Sequence, residues 1–204
     1  MNRPRLTDFR DIAYLRDGNA RQRAAYQALD EFGVIERLAD YGPVLAGTVP
    51  LGIDVDGSDL DILCEVHDFA RFEADLTAAF GHCEGFRVTA PRPRLGGVSM
   101  TASFDHGGFT IEPFGQSLPA ECQSAYRHMV VEARLLALGG PALRGEIVAL
   151  KRSGVKTEPA FAQCLGLDGD PYLALLELEA LGGDDLAALV MPRINRRSGP
   201  DERQ

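Results

Sequence analysis

The segment Ser58-Asp59-Leu60-Asp61-Ile62 sets two carboxylates two residues apart inside an otherwise apolar run. Read as a strand it alternates faces, so Leu60 and Ile62 turn to a core while Asp59 and Asp61 project together from the other side. Carboxylates withdrawn from water are costly unless paired, and two side by side call for a cation between them. An all-oxygen pair suits a hard ion. Mg²⁺ takes one or two carboxylates and fills its shell with water and substrate phosphate, so the pair points to phosphate chemistry and not to a closed structural cage.

The flanking sequence extends that reading. Upstream, Val44-Leu45-Ala46-Gly47-Thr48 reads as a short apolar strand ending at a glycine and a hydroxyl. Gly47 lets backbone approach a ligand closely, and Thr48 adds a hydroxyl and an amide donor, the groups a phosphate needs. Downstream, Phe109-Thr110-Ile111-Glu112-Pro113-Phe114 alternates as a strand should, yet carries a carboxylate among apolar neighbours. Glu112 is therefore a third candidate ligand.

A glycine-hydroxyl turn, an Asp-x-Asp strand and a later strand with one acidic residue together resemble the nucleotidyltransferase superfamily, which shares the fold of DNA polymerase beta. The resemblance spans Val44 to Phe114. It implies an α+β fold, with a mixed sheet flanked by helices and a helical C-terminal lobe. It also implies that Gly47 and Thr48 contact a nucleoside triphosphate such as ATP, with Ser58 beside them. Asp59 and Asp61 would hold two Mg²⁺ ions, with Mn²⁺ as the alternative ion, and Glu112 would complete the second ion's site. The chemistry so implied is a two-metal clamp, with ions about 3.5–4 Å apart on the attacking and leaving oxygens of an in-line displacement. The chain departs from the usual pattern in having Thr48 where serine is commonest and Glu112 where aspartate is common. Gln116 to Phe161 is similar to a small bacterial branch of the superfamily without assigned function, notably in Gln123-Ser124-Ala125-Tyr126-Arg127-His128-Met129 and Lys156-Thr157-Glu158-Pro159-Ala160-Phe161.

With 204 residues, 45% of them hydrophobic, the chain can bury one sizeable core. No apolar run approaches the roughly 18 residues of a membrane span, and the first residues lack the apolar centre of a signal peptide, so the expectation is a cytoplasmic protein with no membrane partner. Cys64, Cys83, Cys122 and Cys164 lie far apart and suggest neither a zinc site nor a redox motif. The 30 acidic residues against 21 basic ones argue against an extended nucleic-acid footprint and favour a small molecule or a protein as acceptor.

Apolar spacing predicts a helix between Asn19 and Leu38, closed by Tyr41-Gly42-Pro43, then strands at 44–46 and 59–66. A helix follows from His67-Asp68 to Phe80, and further strands at 86–90, 98–104 and 109–114, the last two joined by the hairpin signal Asp105-His106-Gly107-Gly108. Beyond Phe114 the pattern is helical, near 121–138, 142–152, 158–165 and 171–181. The predicted organisation is a core over residues 1–115, a helical lobe over 116–190, and an aperiodic basic tail over 191–204.

Three basic residues are candidates for the triphosphate: Arg127, mid-helix beside His128, and Lys151 and Lys156, near a helix end. Basic residues there also complement the helix dipole, the structural alternative. Arg92 and Arg94, in Pro91-Arg92-Pro93-Arg94, read as a positive or simply solvated loop. Two rival motifs overlap the acidic segment. Asp54-Val55-Asp56 looks like the nucleophile loop of haloacid-dehalogenase-type phosphatases, with Lys151 or Gly183-Asp184-Asp185 as partners. That loop should follow a continuous strand, which Pro50 and Gly52 interrupt. A calcium loop starting at Asp54 fails because Asp59 occupies the position that needs glycine. A non-catalytic nucleotide- or partner-binding module of the same fold is the third alternative.

Overall fold

The computed structural model describes residues 7–94 and 96–197, with backbone alone for residues 192–197. The chain divides into two compact units, residues 7–126 and a helical unit from Arg127 onward. The division falls beyond position 115 because β6 (Phe109–Gln116) continues the sheet and the turn after it is tied back. The Gln123 side-chain amide donates to the Cys64 carbonyl at 2.9 Å and to the Leu118 carbonyl at 3.0 Å.

The first unit is an α+β sheet domain. Its remaining strands are β1 (Val44–Ala46), β2 (Leu60–Glu65), β3 (Arg87–Val88), β4 (Arg92–Arg94) and β5 (Gly97–His106). The strand order is β1-β2-β6-β5-β3, with β4 also on β5. β2 and β6 run parallel and every other pair is antiparallel. Alternation decides what each face carries. Leu60, Ile62 and Cys64 of β2, Met100, Ala102 and Phe104 of β5, and Phe109 and Ile111 of β6 enter one core cluster. The intervening residues, Asp61, Ser103 and Glu112 among them, turn to the opposite face.

Two helices, α1 (Ala20–Glu31) and α3 (Phe69–Phe80), close the core face, with Leu29, Phe72, Leu76 and Phe80 fully buried. Phe80 stacks on Phe104 with centroids 4.5 Å apart. Gly115 lets α3 settle onto β6, since a Cβ there would stand 2.8 Å from the Phe72 ring and 2.7 Å from Val66. Both helices start where capping chemistry places them. Asn19 and Gln22 form a reciprocal capping box, and Asp68 accepts from the Arg71 amide.

The expected helix over 19–38 is broken. Gly33, at φ 64°, turns the chain between α1 and a one-turn α2 (Val34–Arg37). A 3₁₀ turn at Ile12–Asp17, capped by Asp11, carried no periodic signal. The Arg92–Arg94 loop is strand β4, paired with the extension of β5 beyond β3.

In the second unit α4 (Ser124–Arg152) is two helical stretches meeting at Gly140, whose φ 59° and ψ −154° are non-helical, with Pro141 next. The two helices expected at 121–138 and 142–152 thus meet with no loop between them. Then follow α5 (Thr157–Leu165), α6 (Pro171–Glu177) and α7 (Gly183–Arg197). The expected tail at 191–204 is helical as far as Arg197, because α7 opens on Asp184 and Asp185 and is anchored by buried Leu186 and Val190. Residues 198–204 of that expectation lie outside the described residues. Among the described residues no helix is long and apolar enough to cross a membrane.

Candidate metal centre

Asp59, Asp61 and Glu112 come together on the sheet face opposite the core. Each offers one carboxylate oxygen, and the three oxygens lie within 4.8 Å of one another. The backbone sets this up twice over. Asp59, just before β2, and Asp61, within it, share a face by alternation. Parallel pairing of β2 with β6 then puts Asp61 in register with Glu112.

The electrostatics of the group are those of a site short of positive charge. Burial raises the affinity of Glu112 for a proton, and the neighbouring Asp59 carboxylate raises it further, while Arg87 offsets part of the effect. Arg87 reaches this environment through the sheet: it pairs with Ser103, and the β5–β6 register carries Ser103 on to Glu112. Ser103 is 2% exposed and its hydroxyl lacks a hydrogen-bond partner. Sequence reading singled out neither Arg87 nor Ser103, because both approach Glu112 only through strand register, which a linear motif does not display.

Gly47 forms the wall of the group. It follows β1 with φ 85°, and a Cβ there would lie 2.6 Å from Asp61 Oδ2. The glycine is needed both for its backbone conformation and for the space the carboxylate occupies. After it the chain makes a compact loop. The Thr48 carbonyl accepts from the Ile53 amide at 3.2 Å, and Val49 accepts from Gly52 at 3.0 Å. The Ser58 hydroxyl accepts from the Val55 amide at 3.0 Å, which closes the segment leading into Asp59. The N-terminus of α1 holds this loop from outside. Gln22, whose Oε1 completes the helix cap, donates through Nε2 to the Val49 and Pro50 carbonyls at 3.0 and 3.1 Å. Gln22 stands where a capping-box glutamine is recognisable, but its second role is a tertiary contact.

Arg127, Lys151 and Lys156 belong to the helical unit: Arg127 is paired with Glu179 at 2.5 Å, Lys151 lies in the last turn of α4, and Lys156 is the exposed N-cap of α5. The phosphatase reading loses its premise. Asp54 lies in a loop well past the end of β1, 4.0 Å from Arg21, whose guanidinium covers the Phe109 ring, and Asp56 is exposed. Neither aspartate follows a strand.

Three hard oxygen donors, with no thiol or imidazole in the group among the described residues, fit a divalent ion of the Mg²⁺ or Mn²⁺ type. An Asp-x-Asp strand, a parallel neighbour bearing the third carboxylate and a glycine turn against the second aspartate are the arrangement expected from the sequence resemblance to nucleotidyltransferases. Residues 27–178 match the family described as Domain of unknown function (DUF4269), and the chain belongs to that family. No curated protein matches the chain by sequence. Among solved structures, the chain is similar to the Cid1 poly(U) polymerase with MgGTP bound, at 14% identity and a TM-score of 0.48, over 80% of this chain and 53% of that one. It is also similar to the polymerase core of TRAMP, at 13% identity and a TM-score of 0.47, over 89% and 60% of the respective chains. For the GLD-2/RNP-8 complex the values are 11% and 0.45, over 84% and 65%. The chain thus spans about half the length of the Cid1 structure.

Proposed function

We propose that the protein transfers a nucleotidyl group from a nucleoside triphosphate to a hydroxyl acceptor, with divalent ions held by Asp59, Asp61 and Glu112. The single observation that carries this reading is the convergence of those three carboxylates on one sheet face within 4.8 Å, against a glycine that leaves Asp61 room. Bound there, a divalent cation offsets the charge of phosphate oxygens and polarises the phosphorus under attack.

The protein's own groups do the rest. The acceptor oxygen forms a bond to the α-phosphorus as the bond from that phosphorus to the bridging oxygen breaks, and pyrophosphate leaves with the electron pair. Glu112 would complete the site of the ion that activates the acceptor, and the hydroxyl proton would pass to water. The Thr48 hydroxyl and the Gly47 and Thr48 amides hold the triphosphate, with Ser58 at the entrance to β2.

The test is calorimetric binding of non-hydrolysable nucleoside triphosphates with and without Mg²⁺, to the native chain and to Asp61→Asn. That variant removes one charge with little change of shape. Cation-dependent binding that disappears in Asp61→Asn is the expected result; binding that survives it unchanged would refute the assignment.

A further inference from the structure

Three arginines line the far edge of the sheet on the face that carries the carboxylates. Val88 packs against the core, so Arg87 turns to the opposite side. Arg92 is in register with Ser99 and Arg94 with Gly97, and Ser99 alternates out of a core that takes Met100, Ala102 and Phe104. Arg87, Arg92 and Arg94 are all exposed and, among the described residues, none is within ion-pair distance of a carboxylate. In a chain of net charge −9, where Arg10, Arg21, Arg71 and Arg127 all have acidic partners, three exposed arginines on one face, with only Arg87 acting on a carboxylate, Glu112, form a local positive strip.

Its spacing is that of a track. Arg92 and Arg94 are two residues apart on one strand, about 6.6 Å, an interval comparable to that between successive phosphates of an extended strand. Four residues of β5 separate the Arg87 row from the Arg92 row, about 13 Å, and two strand spacings separate Arg87 from Glu112, about 10 Å. The cations therefore lie in line, not in a cluster, and their line starts in the row of the metal carboxylates, two strands away. Such a strip fits a chain of phosphates better than a single one. Protection of an edge strand explains prolines and charge at β4, but Pro91 and Pro93 already withhold amides there, and protection needs no set of like charges on one chosen face.

We infer that the β3–β4 edge is a docking strip for a single-stranded oligonucleotide whose phosphates pair with Arg87, Arg92 and Arg94 and whose terminal hydroxyl is the acceptor at the carboxylate group. This rests on the nucleotidyl-transfer reading for the role of the hydroxyl, while the docking is separately measurable. It departs from the expectation, drawn from net charge, of a small-molecule or protein acceptor, because local charge acts at short range whatever the global balance. Among the described residues no exposed aromatic belongs to the strip, so the proposed recognition is of backbone phosphates, not bases.

The experiment is fluorescence anisotropy of a labelled single-stranded RNA a dozen nucleotides long, titrated with the full chain over a range of salt. The comparison proteins are Arg92→Ser/Arg94→Ser and Asp61→Asn. Native binding should weaken with salt, and the arginine variant should lose tenfold or more in affinity and about 1.4 units of log–log salt slope, at roughly 0.7 per phosphate contact released. Its cation-dependent nucleotide binding should stay native, since neither arginine belongs to the carboxylate group. An unchanged affinity and slope in that variant overturns the strip, as does absence of native binding. Equal, arginine-dependent capture of polyglutamate or of anionic lipid vesicles overturns the nucleic-acid assignment. RNA held by the strip in a chain without cation-dependent nucleotide binding would leave the docking standing and remove the transfer reading.

Discussion

Replacing Gly47 by alanine separates two costs that usually arrive together. The residue has φ 85°, a region an L side chain occupies at about 1–2 kcal/mol. Gly57, in the same loop, has φ 81°, so Gly57→Ala incurs the same backbone cost. The surroundings differ. Around Gly57 a Cβ would meet nothing within 4 Å, whereas at Gly47 it would stand 2.6 Å from Asp61 Oδ2, and ordinary contact begins at 3.4 Å. The carboxylate therefore has to swing away by about 0.8 Å, a displacement of the size that disables positioned groups. Both variants should lose comparable stability in denaturant unfolding. Only Gly47→Ala should lose divalent-cation affinity, by about 10–100-fold, the range seen when the support of a ligand is disturbed. Mn²⁺ titration followed by electron paramagnetic resonance measures this directly. Equal loss of Mn²⁺ affinity in both variants would show that loop strain, not the steric wall behind Asp61, governs the site.

Two further outcomes follow from buried polar groups. Glu132 is 4% exposed in α4, and its carboxyl is pushed up to about 8 by burial first and the Glu158 charge second, with Lys151 pulling the other way. Because the folded value lies above the ordinary one, this group's contribution to stability is full below about pH 4.5 and is lost as pH rises through about 8, a swing on the order of 5 kcal/mol. Glu132→Gln should flatten the fall in urea-unfolding free energy between pH 5 and 8, and a parallel fall in both proteins would sink the attribution. For Gln22, replacement by glutamate keeps the cap acceptor but sets a carboxylate against the Val49 and Pro50 carbonyls. Amide exchange across 48–58 should accelerate in Gln22→Glu and stay native in Asn19→Ala, which loses only the cap at about 1 kcal/mol; acceleration in both would mean that the helix end, not the clamp, orders the loop.

The candidate site was legible where its signal is local. Asp59 and Asp61 betray themselves by alternating with Leu60 and Ile62, and Glu112 by interrupting an apolar strand pattern; the register that joins them, Asp61 opposite Glu112, follows once β2 and β6 pair. Arg87, Ser103 and the clamp by Gln22 were not legible, because each depends on which strand or loop lies alongside. The fold shows the same division. Strong amphipathic runs gave α3, and turn chemistry gave the β5–β6 hairpin at Gly107 and Gly108, both at positive φ. β4 was hidden because two prolines in Pro91-Arg92-Pro93 argue against a strand unless it is at an edge, where it lies. The end of α7 was hidden because Pro192 and basic residues read as a stop, although the helix is already anchored by Leu186 and Val190.

The parallel pairing of β2 with β6 has one more consequence. Asp61 and Glu112 are neighbours in the sheet but stand about fifty residues apart in the chain, so their meeting closes a long loop and belongs to the non-local, slower part of folding. On the proposed function, an ion shared between them would be a removable cross-link across that loop. It would act where a disulfide does, but answer to cation concentration instead of redox potential, and so would tie the persistence of the folded sheet to the supply of the metal.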